Sequence, residues 1–217
     1  MTRVDLSTIR GDEQRVKAIQ RKYVDFFAPS HVRILDLGCG RGEFLEILQE
    51  HGKQGFGLDI DPRAVEHCAA KGLTQVVNDD GFVHLPKHRA CYDGVFMSHV
   101  IEHYAPDDAE ALVSLCHAAL VPGGRIVIVT PNPVNLFVIT ENFWKDLSHV
   151  RPYPVDALKL LLTNCGFVVV QAGWDTDTVS GIPEEAKTPA WHEVGRILGH
   201  FFYCEDAYAV GEKPMDE

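Results

Sequence analysis

The fold of this chain is decided by one stretch, Arg33-Ile34-Leu35-Asp36-Leu37-Gly38-Cys39-Gly40-Arg41-Gly42-Glu43-Phe44. In it a short aliphatic run ends in an acidic residue, three glycines follow at alternate positions, and an amphipathic segment begins at Phe44. This pattern predicts a strand, a glycine loop and the start of a helix. Because glycine adopts backbone conformations closed to other residues, the N–H groups of such a loop can come close to a ligand. We therefore expect a polar ligand to lie over this loop.

Strands and helices alternate on both sides of the loop. Apolar residues at spacings of three and four predict the helices, and short aliphatic runs bounded by turn residues predict the strands. The predicted helices are Asp12–Phe27, Leu45 to about Gly52, Pro62–Gly72, Asp107–Leu120, Val155–Asn164 and a segment from about Glu184. The predicted strands after the first are Gly55–Leu58, Val76–Val77, Tyr92–Met97, Arg125–Thr130, Phe167–Gln171 and Ala207–Val210. Seven strands in this order predict an α/β fold, with a mostly parallel sheet, helices on both faces and ligands at the carboxyl ends of the strands.

The composition fits one globular domain over residues 1–217, with a cap helix within residues 1–30. The chain is 46% hydrophobic and 24% charged, and it has no apolar run of the roughly 20 residues that a membrane span needs. The net charge of −11 opposes binding to nucleic acid. Six scattered cysteines without a Cys-x-x-Cys pair indicate a reducing compartment, so we expect a cytoplasmic protein.

The glycine spacing distinguishes two kinds of nucleotide-binding loop. The dinucleotide fingerprint is Gly-x-Gly-x-x-Gly, whereas Gly38, Gly40 and Gly42 are one residue tighter. Together with Asp36, they resemble the first motif of the class I S-adenosylmethionine (SAM) methyltransferases. The turn at 120–124 also matches that family. The resemblance implies a Rossmann-like methyltransferase fold, enzymatic activity and SAM as the cofactor, with its methionine part over the glycine loop.

Acidic residues after the second and third strands are the expected ligands of the nucleoside part. Asp59 can accept hydrogen bonds from both ribose hydroxyls, and Asp61 is the alternative, although its place before a proline suits a helix cap. In the family a carboxylate after the third strand accepts the adenine amino hydrogen, and either Asp79 or Asp80 fits that place.

Apolar neighbours of these carboxylates complete the expected cofactor site. Ile60 and Phe82 can lie on the two faces of the adenine. The expected cofactor-binding residues are Tyr23, Asp36, Gly38, Cys39, Gly40, Asp59, Ile60, Asp80, Gly81, Phe82 and Ser98.

A base is the other group that the chemistry requires. SAM carries an activated methyl group, so the protein has to align the acceptor and, for a hydroxyl, remove its proton. The fourth strand runs into a segment with His99, Glu102 and His103 at positions i, i+3 and i+4, on one face if the turn is helical. A Glu-His pair serves structural hydrogen bonds as well as catalysis. His99 is the stronger catalytic candidate of the three.

The segment 131–154 is dense in proline, aromatic and basic residues, and we expect it to cover the active site. Its Phe143-Trp144 pair and its run His149-Val150-Arg151-Pro152 resemble methyltransferases that act on bacterial surface polysaccharides and other saccharides, including those that terminate O-antigen chains. The resemblance implies that Tyr23 covers the cofactor and that His149 and Arg151 face the acceptor. His149 could take a hydroxyl proton, and Arg151 could bind a phosphate or carboxylate.

A divalent metal is a further possibility at the same place. Glu102, His103 and His149 make a nitrogen and oxygen set suited to a divalent transition ion. Small-RNA 3′-end methyltransferases show a related layout, Glu-x-x-Glu-His with a later His, and bind a metal; here His99 occupies the first Glu position. The same residues could serve without a metal.

The sequence therefore predicts a SAM-dependent O-methyltransferase for a hydroxyl of a saccharide or sugar-like acceptor, with or without phosphate. One alternative is a methyltransferase for a small natural-product or quinone-type hydroxyl. Another is a SAM-binding partner subunit that has lost catalysis. Methylation of RNA ends ranks lower because of the negative charge. We expect Asp175, after the sixth strand, to lie in a solvated loop.

Overall fold

A computed structural model describes residues 11–175 and 204–215. Within them seven strands form one sheet: β1 Arg33–Leu37, β2 Gln54–Asp59, β3 Val76–Asn78, β4 Tyr92–Ser98, β5 Leu120–Pro131, β6 Val168–Trp174 and β7 Asp206–Glu212. Their spatial order is β3-β2-β1-β4-β5-β7-β6. The first five strands pair in parallel, and β7 pairs antiparallel with both β5 and β6. The predicted seven-stranded, mostly parallel sheet is therefore confirmed.

The described residues form six α-helices: α1 Glu13–Gln20, α2 Glu43–Glu50, α3 Pro62–Ala70, α4 Gly81–His84, α5 Pro106–Ala119 and α6 Val155–Asn164. Five of these six lie close to predicted positions, and the short helix α4 was not predicted. The first predicted helix tightens into a 3₁₀ helix over Arg21–Phe26. The predicted helix from about Glu184 lies outside the described residues.

The turn predicted at Pro122-Gly123-Gly124 is part of a strand instead. β5 begins at Leu120, which pairs with Tyr92, and the register to β4 then shifts before Gly94 pairs with Arg125. Gly123 absorbs the irregularity with a φ of +75°, and its N–H donates to the Lys213 carbonyl at 2.9 Å. The turn residues therefore produce a local irregularity inside one long strand.

The hydrophobic core lies on both faces of the sheet. Neighbouring residues of each central strand alternate between two separate clusters, as the two-residue period of a strand requires. One cluster contains Leu35, Val95 and Ile126 with Leu112 and Leu158 of α5 and α6, and the other contains Ile34, Phe96 and Val127 with Phe44 and Leu48 of α2. Helices on both faces, as predicted, expose the carboxyl ends of the strands as the open edge for a ligand.

Helix α1 is attached to α2 and α3 by ion pairs, and none of its residues is buried. The Lys17 ammonium lies 2.7 Å from a Glu50 carboxylate oxygen of α2. On its other side, the Glu13 carboxylate lies 2.7 Å from the Lys71 ammonium and 2.9 Å from His67 Nε2. In the described residues, no helix combines the length and apolar character that a membrane crossing requires.

Candidate active site

The glycine loop is built from backbone that other residues rarely adopt. Gly38, Gly40 and Gly42 have φ values of +79°, +53° and +81°. The N–H groups of Gly38 and Cys39 donate to the Leu58 carbonyl at 2.7 and 3.1 Å, which ties the loop to β2. A Cβ atom at Gly38 would overlap the Val100 side chain. The expectation that glycine is required here is met, because a side chain at Gly38 has no room.

A cavity of about 480 Å³ lies between this loop, α1 and the 131–154 segment. Eight of the predicted site residues line it: Tyr23, Asp36, Gly38, Cys39, Ser98, His99, His103 and His149. Its wall also contains residues that sequence reasoning did not select, among them Arg15, Lys145, Asp146, Glu205 and Asp206. The structure therefore brings the loop, the end of β4 and His149 to one place.

The predicted ribose ligand Asp59 lies at the end of β2 and is largely buried. Its two carboxylate oxygens accept from the N–H groups of Gly40 at 2.8 Å and Asp61 at 2.9 Å. Asp61 caps α3 by accepting from the Arg63 N–H at 3.0 Å, which is the alternative role foreseen for it. Asp59 thus holds the glycine loop, and its contact with a ribose stays a prediction.

The predicted adenine residues lie beside the cavity but do not line it. Asp80 caps the short helix α4 by accepting from the Phe82 N–H at 2.8 Å, while Asp79 accepts from the Asp80 N–H at 2.9 Å. Ile60 is 51% exposed, and the Phe82 ring packs edge-on against Tyr104. Adenine contact at this edge remains a prediction.

The Tyr23 hydroxyl at the cavity wall is held by Asp175, which was expected to lie in a solvated loop. Asp175 is 3% exposed rather than solvated, and it accepts from the Tyr23 hydroxyl at 2.8 Å while pairing with the Lys22 ammonium. Burial and the nearby carboxylates of Asp206 and Asp175 raise the pKa of Tyr23 well above its usual value. Tyr23 is therefore a neutral hydrogen-bond donor.

His99 lies between two carboxylates and does not share a helical face with its neighbours. The 3₁₀ turn covers only Ile101–His103, and His99 precedes it with a φ of +55°. Its Nε2 lies 3.1 Å from Asp206, and its Nδ1 lies 3.5 Å from Glu102. The surrounding protein partly desolvates His99, whose side chain is 46% exposed, and this lowers its pKa, but the two carboxylates outweigh the effect and raise the pKa to about 10. His99 is therefore an imidazolium at neutral pH.

Glu102 is completely buried at the centre of this group. One of its oxygens, Oε2, accepts from the Thr130 hydroxyl at 3.0 Å. The other, Oε1, has no hydrogen-bond donor among the described residues. Burial opposes ionisation, but the positive charge of His99 outweighs it and lowers the pKa of Glu102. Within the described part of the chain, Glu102 Oε1 therefore makes no hydrogen bond, and the charge nearest to it is the His99 imidazolium, whose Nδ1 lies 3.5 Å away.

Two imidazoles face that oxygen with their lone pairs. His149 Nδ1 lies 2.6 Å from the Phe143 carbonyl, to which it donates, so its Nε2 carries a lone pair 3.9 Å from Glu102 Oε1. The Ser148 hydroxyl gives its own proton to Asp146 at 2.6 Å and accepts from His103 Nδ1 at 3.0 Å. One ligand atom each from Glu102, His103 and His149 lies within 4.8 Å of the others. Such a group of acceptors favours a proton or a cation among them.

The comparison with known proteins identifies the family. Residues 12–172 match the family described as a methyltransferase domain. The crystal structure of a SAM-dependent methyltransferase from Archaeoglobus fulgidus aligns with a TM-score of 0.79 and 30% identity, over 96% of this chain and 97% of that one. This chain belongs to the class I SAM-dependent methyltransferases. The predicted fold, the class I methyltransferase family and SAM as the cofactor are thereby confirmed.

Two sequence relatives point in the same direction. This methyltransferase is 30% identical, over 184 residues, to a "probable S-adenosylmethionine-dependent methyltransferase" of Mycolicibacterium smegmatis, covering 85% of this chain and 67% of the relative. It is 28% identical, over 131 residues, to the ubiquinone biosynthesis O-methyltransferase of Xylella fastidiosa, covering 56% and 52%. The matched part is about half the length of the Xylella protein.

Arg151 and Trp144, two residues of the methyltransferase's cover segment, both lie outside the cavity wall, although Arg151 was expected to face the acceptor. Arg151 does not line the cavity, and its guanidinium lies 4.8 Å from the centre of the Tyr153 ring. The Trp144 ring is 55% exposed, and its Nε1–H donates to the Ile139 carbonyl at 2.8 Å. Contact of either side chain with an acceptor would require it to turn toward the cavity.

Proposed function

We propose that this methyltransferase transfers the methyl group of SAM to a hydroxyl group of a saccharide or sugar-like acceptor. The observation that carries the proposal is the orientation of His149. Its Nδ1–H is fixed on the Phe143 carbonyl, and its Nε2 lone pair is held at the wall of the cavity that also contains the glycine loop. Burial lowers the pKa of His149, which keeps the ring neutral at physiological pH.

His149 acts as the general base in this proposal. Its Nε2 takes the hydroxyl proton while the acceptor oxygen attacks the methyl carbon. The C–S bond of SAM breaks, and S-adenosylhomocysteine and a methyl ether are the products. The carboxylate of Glu102 stabilises the resulting imidazolium. His99 is not the base, because the carboxylates of Asp206 and Glu102 raise its pKa to about 10 and keep both of its nitrogens protonated.

The polar character of the cavity supports a polyhydroxyl acceptor. Near His149 the wall contains Asn142, Lys145 and Asp146, and α1 adds Arg15 opposite Glu205. Carboxylates, amides and ammonium groups match hydroxyl groups as donors and acceptors. Because Arg151 lies over Tyr153, a phosphate is not required of the acceptor. The six cysteines are free thiols, which supports our placement of the reaction in the cytoplasm.

A divalent transition ion at Glu102, His103 and His149 is an alternative to the free base within this proposal, because the Nε2 lone pair of His149 cannot both bind an ion and take a proton. The residues fit such an ion, because the buried Oε1 of Glu102 lacks a donor and each histidine has its Nδ1 engaged, leaving Nε2 as a ligand. When bound, the ion would lower the pKa of an acceptor hydroxyl. The Glu102 carboxylate and the two rings would hold it at the cavity wall.

A second candidate function is methylation of a quinone-type or other small phenolic hydroxyl. The similarity to the Xylella enzyme named for ubiquinone biosynthesis favours it, and so do the apolar side chains of Val138 and Phe143 in the cavity wall. A neutral His149 would serve either acceptor.

One assay separates these functions. The purified protein is incubated with methyl-labelled SAM and a panel of sugars, nucleotide sugars and phenols, and labelled product is counted. Transfer to sugars supports the proposal, and transfer to phenols alone supports the second candidate. Firm SAM binding in calorimetry without transfer to any member would instead indicate a SAM-binding partner subunit.

The metal is tested by binding rather than by turnover. The metal-free protein is titrated with Zn²⁺ or Mn²⁺ in a calorimeter, and we expect one equivalent to bind. Glu102→Gln should remove that binding, whereas Glu141→Gln, an exposed carboxylate of the same cover segment, should not. Equal binding by wild type and Glu102→Gln would exclude this site.

A further inference from the structure

Two cysteines meet beneath the glycine loop. Cys39 lies between Gly38 and Gly40 and is 6% exposed at the cavity wall, while Cys68 of α3 is fully buried. The Cys68 thiol donates to the Gly40 carbonyl at 3.5 Å, directly next to Cys39 in the chain. The pair belongs to one apolar cluster.

Glycines leave room for both sulfur atoms. A Cβ atom at Gly42 would lie 2.9 Å from Cys68 Sγ, and one at Gly57 would lie 2.9 Å from Cys39 Sγ. Because both separations are shorter than a normal carbon–sulfur contact, the two sulfurs occupy space that larger residues would fill. The loop and α3 are therefore packed around this thiol pair.

The two thiols are chemically unequal. A hydrogen bond between them, together with burial, raises the pKa of Cys39 far above its usual value. The same hydrogen bond lowers the pKa of Cys68, with help from the Lys71 ammonium and against the effect of burial. Because the thiolate is the nucleophile in thiol chemistry, Cys68 is the better attacking sulfur and Cys39 is the one that the cavity exposes.

We propose that Cys39 and Cys68 form a reversible disulfide that blocks the cofactor site when a peroxide enters the cavity. This inference rests on the proposed binding of SAM over the glycine loop. A disulfide needs an S–S bond of about 2.05 Å, so its formation draws Cys39 toward α3. The backbone hydrogen bonds from Gly38 and Cys39 to Leu58 would then be strained or broken. The glycine loop would no longer present its binding surface to SAM.

The chemistry requires one hydrogen peroxide per disulfide. Peroxide reaches Cys39 first, because Cys68 is fully buried, and the raised pKa of Cys39 makes this the slow step. The Cys39 sulfur attacks a peroxide oxygen, the O–O bond breaks, and the thiol proton leaves with the departing hydroxide as water. The Cys68 sulfur then attacks the sulfur of the Cys39 sulfenic acid. The S–S bond forms, the S–O bond breaks, and the Cys68 proton leaves with that hydroxide as a second water. Two thiols are oxidised and one peroxide is reduced.

Peptide mapping tests the link itself on the wild-type protein. After treatment with hydrogen peroxide, mass spectrometry should find a peptide pair joined through Cys39 and Cys68, with two hydrogens lost, and dithiothreitol should reverse it. SAM present during the treatment should slow the reaction, because it covers Cys39. A link between other cysteines, or oxidation to sulfinic acid without a link, would overturn the proposal.

Calorimetry with SAM tests the consequence. Oxidised wild-type protein should bind SAM at least about tenfold more weakly than reduced protein, a difference of about 1.4 kcal/mol. Cys68→Ala should keep its affinity for SAM after treatment with peroxide. The control Cys204→Ser should lose affinity for SAM after the same treatment, as wild type does. Unchanged affinity in the linked wild-type protein would overturn the blocking role. Failure of the reduced wild-type protein to bind SAM would instead contradict the proposed function, and the mapping result remains decisive if Cys68→Ala does not fold.

Discussion

The glycine loop and the cover segment 131–154 face the same cavity but are constructed differently. The loop is held by backbone hydrogen bonds to β2, and its conformation depends on positive φ at Gly38, Gly40 and Gly42. The cover is held by side chains and carbonyls around Glu102, whose own carbonyl accepts from the Val150 N–H at 2.8 Å. One end of the site therefore depends on local sequence, and the other depends on residues that meet only after folding.

The strongest test of this difference is His149→Gln, which should affect the reaction and not the cofactor. Removal of a general base typically costs about 10²–10⁴-fold in rate, so turnover should fall within that range while the SAM dissociation constant stays within about twofold of wild type. Initial rates and calorimetry measure the two quantities. His67→Gln, an exposed imidazole on α3, is the control and should be neutral. Unchanged turnover would remove His149 from its role as base.

Gly38→Ala should have the opposite effect. A left-handed φ costs an alanine about 1–2 kcal/mol, and overlap with Val100 adds about 1–3 kcal/mol. We expect SAM affinity to fall at least about tenfold, as measured by calorimetry. Gly52→Ala is the matched control, because Gly52 also has a positive φ of +69° but no atom within 4 Å of its added Cβ. It should lose stability in urea and keep its SAM affinity; equal loss of affinity by both variants would attribute the effect to backbone strain alone.

Asp206→Asn tests the carboxylate pair that surrounds His99. With one carboxylate neutralised, the pKa of His99 should fall from about 10 toward the usual imidazole range, as followed by NMR titration of the ring. Turnover should fall less than about tenfold, because His99 does not take the substrate proton. Glu205→Gln changes the neighbouring carboxylate and should leave the His99 titration in place. A His99 pKa that does not move in Asp206→Asn would contradict the assigned pairing.

The pH dependence of kcat/KM tests which group acts as the base. The proposed mechanism needs neutral His149, and burial lowers its pKa below the usual 6.5. Activity should therefore rise with pH through a value below 6.5 and be level by neutral pH. If activity rises only at a pH well above 6.5, another group acts as the base.

The sequence predicted what depends on neighbours in the chain. The alternation of apolar runs located the seven strands, and the glycine spacing located the loop with positive φ between β1 and α2. The residues Pro122-Gly123-Gly124 led to the wrong prediction of a turn before the fifth strand. They lie inside β5, at the point where its register to β4 shifts.

What the sequence could not predict are pairings between distant residues. Asp206 belongs to the site only because β7 inserts antiparallel between β5 and β6 and so brings its first residue to His99. Asp175 looked solvated because its partners Lys22 and Tyr23 come from the opposite end of the chain. A carboxylate near a predicted strand was the available signal in both cases, and such a carboxylate does not identify its partner.

The attachment of α1 has a consequence for how the cavity opens. Arg15, Val16 and Ile19 of this helix form part of the cavity wall, yet the helix buries no side chain and is held by ion pairs such as Lys17–Glu50 and Glu13–Lys71. Dissolved salt screens partly exposed charges over a Debye length of about 8 Å at physiological ionic strength, whereas apolar contacts are not weakened in this way. The rate at which cofactor enters should therefore depend on the ionic strength of the medium. Dissolved salt should loosen the wall formed by α1, whereas the sheet beneath it should not respond to salt.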